Sequence, residues 1–301
     1  MLSLPGTGSK TGYRSRCTRG EGRGCGGNSL THISAQVGEL AISTFSILLL
    51  FAFIPPIIFV IWFRNTERFQ REPWGTVFRV FAWGAVIGVV VAIILSIILE
   101  AIFGFILTET GRFLRQFYVK LGEILEGDRN LGFLVLVVFV APIAEELAKG
   151  LGILRVRAHI NEMEDGIVYG ASSGLGFAAT ENLLYGAVAY VAEGLGASLM
   201  IIGMRSFSSV LLHASASSAF GYGVARSRIS PQPKSILPFF LLAVFMHGAY
   251  NFFASFGELF AGMYGEGTAL IGFVAAVSIA VLAIGLARSA ITREERRSIP
   301  Q

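Results

Sequence analysis

Seven stretches of this chain stay apolar over a length that would cross a bilayer: 39–63, 76–105, 131–154, 166–191, 197–225, 236–256 and 267–289. A membrane helix needs about 20 apolar residues, because each advances it by about 1.5 Å through roughly 30 Å of hydrocarbon. The expected fold is therefore an all-α polytopic membrane protein with about seven transmembrane helices. Strands of a membrane barrel would alternate in polarity over about 10 residues, and no such alternation is present. Composition agrees: 53% of residues are hydrophobic and 15% charged, against about 25% charged in a soluble domain. Mean hydropathy is +0.66. A water-soluble fold this apolar would expose large greasy patches. Disorder over most of the chain is excluded, since it needs low hydrophobicity and high charge. Pro55-Pro56 should kink the first helix.

The ends differ from the middle. Residues 1–36 form a Gly-, Ser- and Arg-rich basic tail without hydrophobic period, expected to be disordered. It lacks the apolar core of a signal peptide. Cys17 and Cys25 both lie in it, too few for a zinc site or a disulfide framework. Residues 37–290 are the expected transmembrane domain and 291–301 a basic cytoplasmic tail. Net charge is only +4, and no clustered basic face outside the tail suggests a nucleic-acid partner. Arg155 and Arg157, Arg226, Arg228 and Lys234, and Arg288, Arg293, Arg296 and Arg297 fall on one side, with segment 64–72. That side is expected to be cytoplasmic, giving an N-out, C-in protein of the plasma membrane. The opposite loops 192–196 and 257–266 contain no Lys or Arg. The 106–130 loop dissents, carrying Arg112, Arg115, Lys120 and Arg129 on the opposite side.

Ionisable groups inside a bilayer cost about 2.5–3.5 kcal/mol each on insertion scales, so those retained there point to function. Here they fall on the third to sixth runs. FVAPIAEELAKGLGIL holds Glu145, Glu146 and Lys149, and at spacings of four and three residues Lys149 can reach either carboxylate. Two adjacent carboxylates at membrane depth cannot both be charged cheaply, so a cation or a shared proton must accompany them. In EDGIVYGASSGLGFAATENLLYG, Gly166, Gly170, Gly174 and Ala178 recur every four residues, a ridge that admits a close helix neighbour. Glu181 and Asn182 follow it. In the fifth run Arg205, Ser209, His213 and Ser217 recur every four residues; in the sixth, His247 and Asn251 do. These groups are expected to line one polar cavity formed by helices 3–6, opening toward the cytoplasm. Blander readings stay open: solvated charges at a helix end, Glu181 and Asn182 as interhelical hydrogen-bond partners, and core histidines.

These residues resemble the PrsW intramembrane proteases. The likeness rests on EExxK at 145–149, EDGIxYGxxxGxGFAxxEN at 164–182, the Arg205-to-His213 spacing, HGxYN at 247–251 and REPW at 71–74. It covers about residues 40–256. The related CAAX prenyl endopeptidases carry His where this chain has Glu181, four residues after Phe177. The resemblance implies hydrolysis of peptide bonds in membrane-anchored proteins, anti-sigma-factor-like regulators among them, within or beside the lipid bilayer.

Peptide hydrolysis needs an activated water, an oxyanion stabiliser and an acid for the leaving amine. The expected division gives water activation to Glu145 with His213, while Glu146 tunes Glu145 and Lys149 balances charge. His247 and Asn251 would hold the oxyanion. Glu181, Asn182 and Arg205 are accessory, Arg205 offsetting the acids. No metal is favoured, because HExxH-like spacing is absent; Zn²⁺ on Glu145, His213 and His247 is the alternative. A proton-coupled transporter would also bury Glu, His, Lys and Arg, though no inverted repeat is visible. A non-catalytic membrane scaffold or sensor is the third reading.

Overall fold

The computed structural model describes residues 27–67, 71–109, 116, 120, 128–230 and 236–298. The expected tail up to residue 26, with Cys17 and Cys25, and most of the 106–130 loop lie outside the described residues. Every regular element among them is a helix. In chain order these are α1 (Gly27–Arg64), α2 (Trp74–Ala82), α3 (Val89–Glu109), α4 (Asp128–Val135), α5 (Ala141–Arg155), α6 (Met163–Glu193), α7 (Leu195–Ser206), α8 (Ser209–Ile229), α9 (Ile236–Ala254), α10 (Phe256–Tyr264) and α11 (Gly267–Ser298). Wide π-helical turns, Trp83–Gly88 and Leu136–Val140, join α2 to α3 and α4 to α5. The chain divides into two units at Thr44, and all the helices around the site lie in Phe45–Gln301.

Three elements depart from expectation. First, α1 begins at Gly27, inside the expected tail. Residues 28–36 contain neither Gly nor Pro, so a helix nucleated by the apolar run extends backward through them. It also continues through Pro55 and Pro56 without a break. Second, among the described residues six helical spans are long and apolar enough to cross a membrane: Ile42–Arg64, Trp74–Phe105, Leu131–Arg155, Leu195–Ile229, Ile236–Ala254 and Gly267–Glu294. The missing run is α6, whose 31 residues give about 46 Å of helix. It is long enough but too polar. Its residues 164–179 are buried all round by other helices, so it can carry Asp165, Ser172, Ser173 and Asn182 without showing them to lipid. Third, the fifth run is not one helix. It breaks at Phe207-Ser208, where Ser206 and Ser208 hydroxyls donate to the carbonyls of Ile202 and Met204. Such back-bonding serines bend helices.

The core is organised around α6. Its most extensive contact is with α8, and the glycine ridge is the reason. A Cβ on Gly166 would overlap the carbonyl of Gly221, on Gly170 that of Ser217, and on Gly174 that of His213. On the other side of α6, Gly176 meets the Phe81 carbonyl of α2, and Gly84 of the first π turn meets the Ser173 carbonyl. Val168, Tyr169, Leu175, Val210, Ala214, Val77, Phe81 and Ile153 fill the space between. Each tryptophan in the chain has an arginine over its ring: Arg64 on Trp74, Arg155 on Trp83 and Arg288 on Trp62.

Candidate active site

Four helices bring the ionisable residues together. Glu145, Glu146 and Lys149 come from α5, Glu181 and Asn182 from α6, His213 and Ser217 from α8, and His247 from α9. Arg205 stands at the end of α7, and the bend at 207–208 keeps its Nη2 3.0 Å from Ser209 Oγ, as the four-residue spacing expects.

Glu146 is the most heavily engaged carboxylate. Its Oε1 accepts from Lys149 Nζ at 2.6 Å and faces His247 Nδ1 at 2.9 Å. Its Oε2 accepts from Ser217 Oγ at 3.0 Å. Lys149 also points Nζ at His213 Nδ1, 2.9 Å away. These contacts set both imidazole tautomers. An ammonium can only donate, so His213 Nδ1 carries the lone pair and Nε2 the hydrogen. A carboxylate can only accept, so His247 Nδ1 carries a hydrogen. His213 Nε2 lies 2.8 Å from Glu181 Oε2, which is 2.9 Å from Arg205 Nη2. Arg205 donates through Nε to Asn182 Oδ1 at 2.9 Å and stacks on Tyr185.

Glu145 differs from its neighbour. Its Oε2 is buried and makes no hydrogen bond. Lys149 Nζ and His247 Nε2 are each 3.7 Å from it, too far for one. A carboxylate oxygen and an imidazole nitrogen thus face each other across a gap too wide for a direct hydrogen bond. Glu145, His213 and His247 each bring one donor atom within 4.8 Å of the others. Zn²⁺ takes His nitrogen and carboxylate oxygen at about 2.0–2.2 Å, so an ion would have to draw these donors inward. The donor chemistry fits, and so does the unpartnered Glu145 oxygen.

Exposure is graded across the site. Glu146, Lys149 and His213 are buried, while the side chains of Glu145, Glu181 and Arg205 keep 15%, 20% and 18% exposure. Tyr185, a turn further along α6, is exposed. The less buried members of the cluster thus include Glu181 and Tyr185, toward the Glu193 end of α6.

Asn251 sits one turn beyond His247, but its Nδ2 donates to Val137 O at 2.8 Å. Val137 belongs to the π turn Leu136–Val140, whose shifted bonding frees carbonyls for such partners. No sequence signal announced that turn. The contact of Ser217 with Glu146 was half visible, because Ser217 extends the Arg205–Ser209–His213 spacing.

A second group of buried acids lies outside the spans, where the 65–73 connector meets the first turn of α6. Glu67, Glu72, Glu164 and Asp165 are all buried. Tyr169 Oη donates to Glu72 Oε2, and the Glu72 amide donates to Glu67 Oε2. Asp165 Oδ2 accepts the amides of Asn161 and Glu162, closing the start of α6. Burial pushes Glu67 and Glu72 up to about 8 and Glu164 to about 7, with neighbouring carboxylates adding to the shift.

Comparison with known proteins gives the same picture at family level. The sequence model of the PrsW family intramembrane metalloprotease matches residues 72–286. A protein named Protease PrsW from Clostridioides difficile is 26% identical over 212 residues, 68% of this chain and 78% of its own length. Those from Geobacillus kaustophilus and Bacillus subtilis are 33% and 34% identical over 91 and 98 residues. These cover 30% and 32% of this chain, and 38% and 41% of the relatives. No solved structure matches the chain.

Proposed function

Since the chain belongs to the PrsW family of intramembrane proteases, we propose that it hydrolyses peptide bonds of membrane-anchored proteins with Glu145 as the base. The observation that carries this reading is the difference between the two adjacent glutamates. Glu146 is engaged by Lys149, His247 and Ser217, which leaves it as a positioning group. Glu145 keeps an unpartnered oxygen, and its side chain retains 15% exposure.

A water beside Glu145 Oε2 and His247 Nε2, which lie 3.7 Å apart, can donate a hydrogen to Glu145. Glu145 takes the proton as the water oxygen attacks the carbonyl carbon. His213, whose Nε2 hydrogen faces Glu181 Oε2, offers a donor to the oxygen that becomes negative by turning that hydrogen away from Glu181. Lys149 supplies positive charge behind both histidines. Glu145 then returns the proton to the leaving amine as the C–N bond breaks. Asn182 accepts from Arg205, which pairs with Glu181, and Glu181 in turn faces His213.

Glu145, His247 and His213 are also the residues that would hold a Zn²⁺ ion. When bound, such an ion would supply Lewis acidity and lower the proton affinity of water. We place the Arg-rich helix ends in the cytoplasm of a plasma-membrane protein, on the charge asymmetry of the loops.

The test compares membranes containing wild type with membranes containing Glu145→Gln by mapping protein N-termini. Wild type should generate new N-termini within or beside single transmembrane segments, and Glu145→Gln should lower them by about 100-fold or more. The absence of any wild-type-dependent N-terminus would overturn the reading. Metal content of wild type and His247→Ala then decides the Zn²⁺ assignment: a metal-dependent site retains about one ion only in wild type.

A further inference from the structure

Away from the catalytic cluster, α9 and α11 part to leave a groove of about 520 Å³. Its floor is Ser215, Ser218 and Tyr222 of α8 with Ile167 of α6. Leu242 and Met246 line one wall, and Leu282 and Leu286 line the other, all four of them in spans. The floor hydroxyls need no ligand: Ser215 donates to Leu211 O and Ser218 to Ile167 O. An occupant of this trough must therefore be apolar along its length.

Its mouth is different. Arg293 lies there, exposed, at the end of the α11 span, with no ion-pair or hydrogen-bond partner among the described residues. Glu294, also at the mouth, is turned to Tyr222 Oη. From Arg293 to Ile279 the groove follows α11 for 14 residues, about 21 Å. One leaflet with its headgroup zone is about 20–22 Å deep, half of the full bilayer. A transmembrane helix needs about 30 Å of wall on both leaflets and would overrun this trough.

We propose that the α9–α11 groove binds one acyl chain of an anionic phospholipid, with the phosphate at Arg293. A guanidinium unpartnered among the described residues, at headgroup level above a one-leaflet apolar trough, matches that molecule in charge, length and polarity. The chain would lie against Met246, next to His247, and against Ser215 and Ser218, which flank Ser217. The bound lipid thus backs the two helices that carry the imidazoles.

The experiment is lipid retention, read without any proteolysis assay. Protein purified in neutral detergent is titrated with dioleoylphosphatidylglycerol or dioleoylphosphatidylcholine and weighed intact by native mass spectrometry. Wild type should retain one phosphatidylglycerol with about fivefold preference over phosphatidylcholine, the value of one interfacial arginine. Arg293→Gln should abolish the preference, whereas Arg296→Gln should keep it. Ala287→Trp, which fills the trough, should lose the retained lipid altogether; should it fail to fold, Ala290→Phe serves. Unchanged retention in the filled variant, equal retention of both lipids by wild type, or equal losses in Arg293→Gln and Arg296→Gln would each overturn the proposal.

Discussion

Two groups of buried carboxylates meet α6 at different points along its length, and they handle charge in opposite ways. Around Glu181, cations reach the carboxylates themselves: Lys149 contacts Glu146 and Arg205 contacts Glu181. Around Asp165 the nearest arginines donate elsewhere. Arg64 Nε binds the Glu72 carbonyl at 2.8 Å and Arg71 Nε the Glu67 carbonyl at 2.7 Å. The first group can keep charged carboxylates because it buries the counter-charge with them. The second has acids crowded by acids, and burial leaves Glu67 and Glu72 holding protons up to about pH 8. The same residue type is thus a fixed charge in one place and a proton store in the other. What decides between them is whether a cation points at the carboxylate or at the backbone.

The largest expected effect breaks the first group. Lys149→Met leaves Glu146 buried without its cation, and Glu146→Gln leaves Lys149 without its anion. Removing one partner of a buried pair costs about 3–5 kcal/mol, while replacing both with apolar residues is often neutral. Thermal unfolding in detergent should show both single variants strongly destabilised and Glu146→Leu/Lys149→Met recovering most of the loss. Cleavage should stay absent in the double variant, because both histidine tautomers lose their partners. Simple addition of the two single losses would mean that the pair is not the unit described here.

How far this contrast could be read from the sequence depends on the kind of interaction. The EELAK spacing predicted the Lys149 contacts, since pairs three and four apart lie on one helix face. The glycine ridge predicted a close neighbour, though not that the neighbour would be the helix carrying His213. The apolar runs gave the spans, but counted α6 among them by length; its polarity is tolerated only because other helices surround it. The unequal roles of Glu145 and Glu146 depend on Ser217 and His247 arriving from two other helices, a matter of packing rather than spacing. Likewise the acid group at the α6 start joins residues such as Glu72 and Tyr169, 97 positions apart. REPW and EDGI are separate motifs in the sequence, and nothing local says that they touch.

A smaller effect probes the second group by pH. Unfolded, Glu67 and Glu72 ionise near the ordinary 4.5; folded, they do so near 8. Between those values the folded state holds more protons than the unfolded one, so stability falls as pH rises. Their contribution is fully present below pH 4.5 and lost by the time pH passes 8. Melting temperature should decline from pH 6 to 9, and Glu67→Gln/Glu72→Gln should flatten that decline by mimicking the protonated pair. An identical pH slope in the double variant would show that these acids are not the proton store.

The smallest effect isolates a single hydrogen bond. Tyr169 Oη donates to Glu72, and that bond is worth more when the carboxylate is charged, which is why it draws Glu72 downward against burial. Tyr169→Phe should cost about 1 kcal/mol near neutral pH. The loss should grow above pH 8, where Glu72 ionises and its buried charge has lost a donor. The ionisation of Glu72 itself should move upward, read as a shift of the melting-temperature decline to higher pH. A uniform loss at every pH would make Tyr169 a packing residue. The contrast between the two acid groups would then rest on Glu67 and on where Arg64 and Arg71 point.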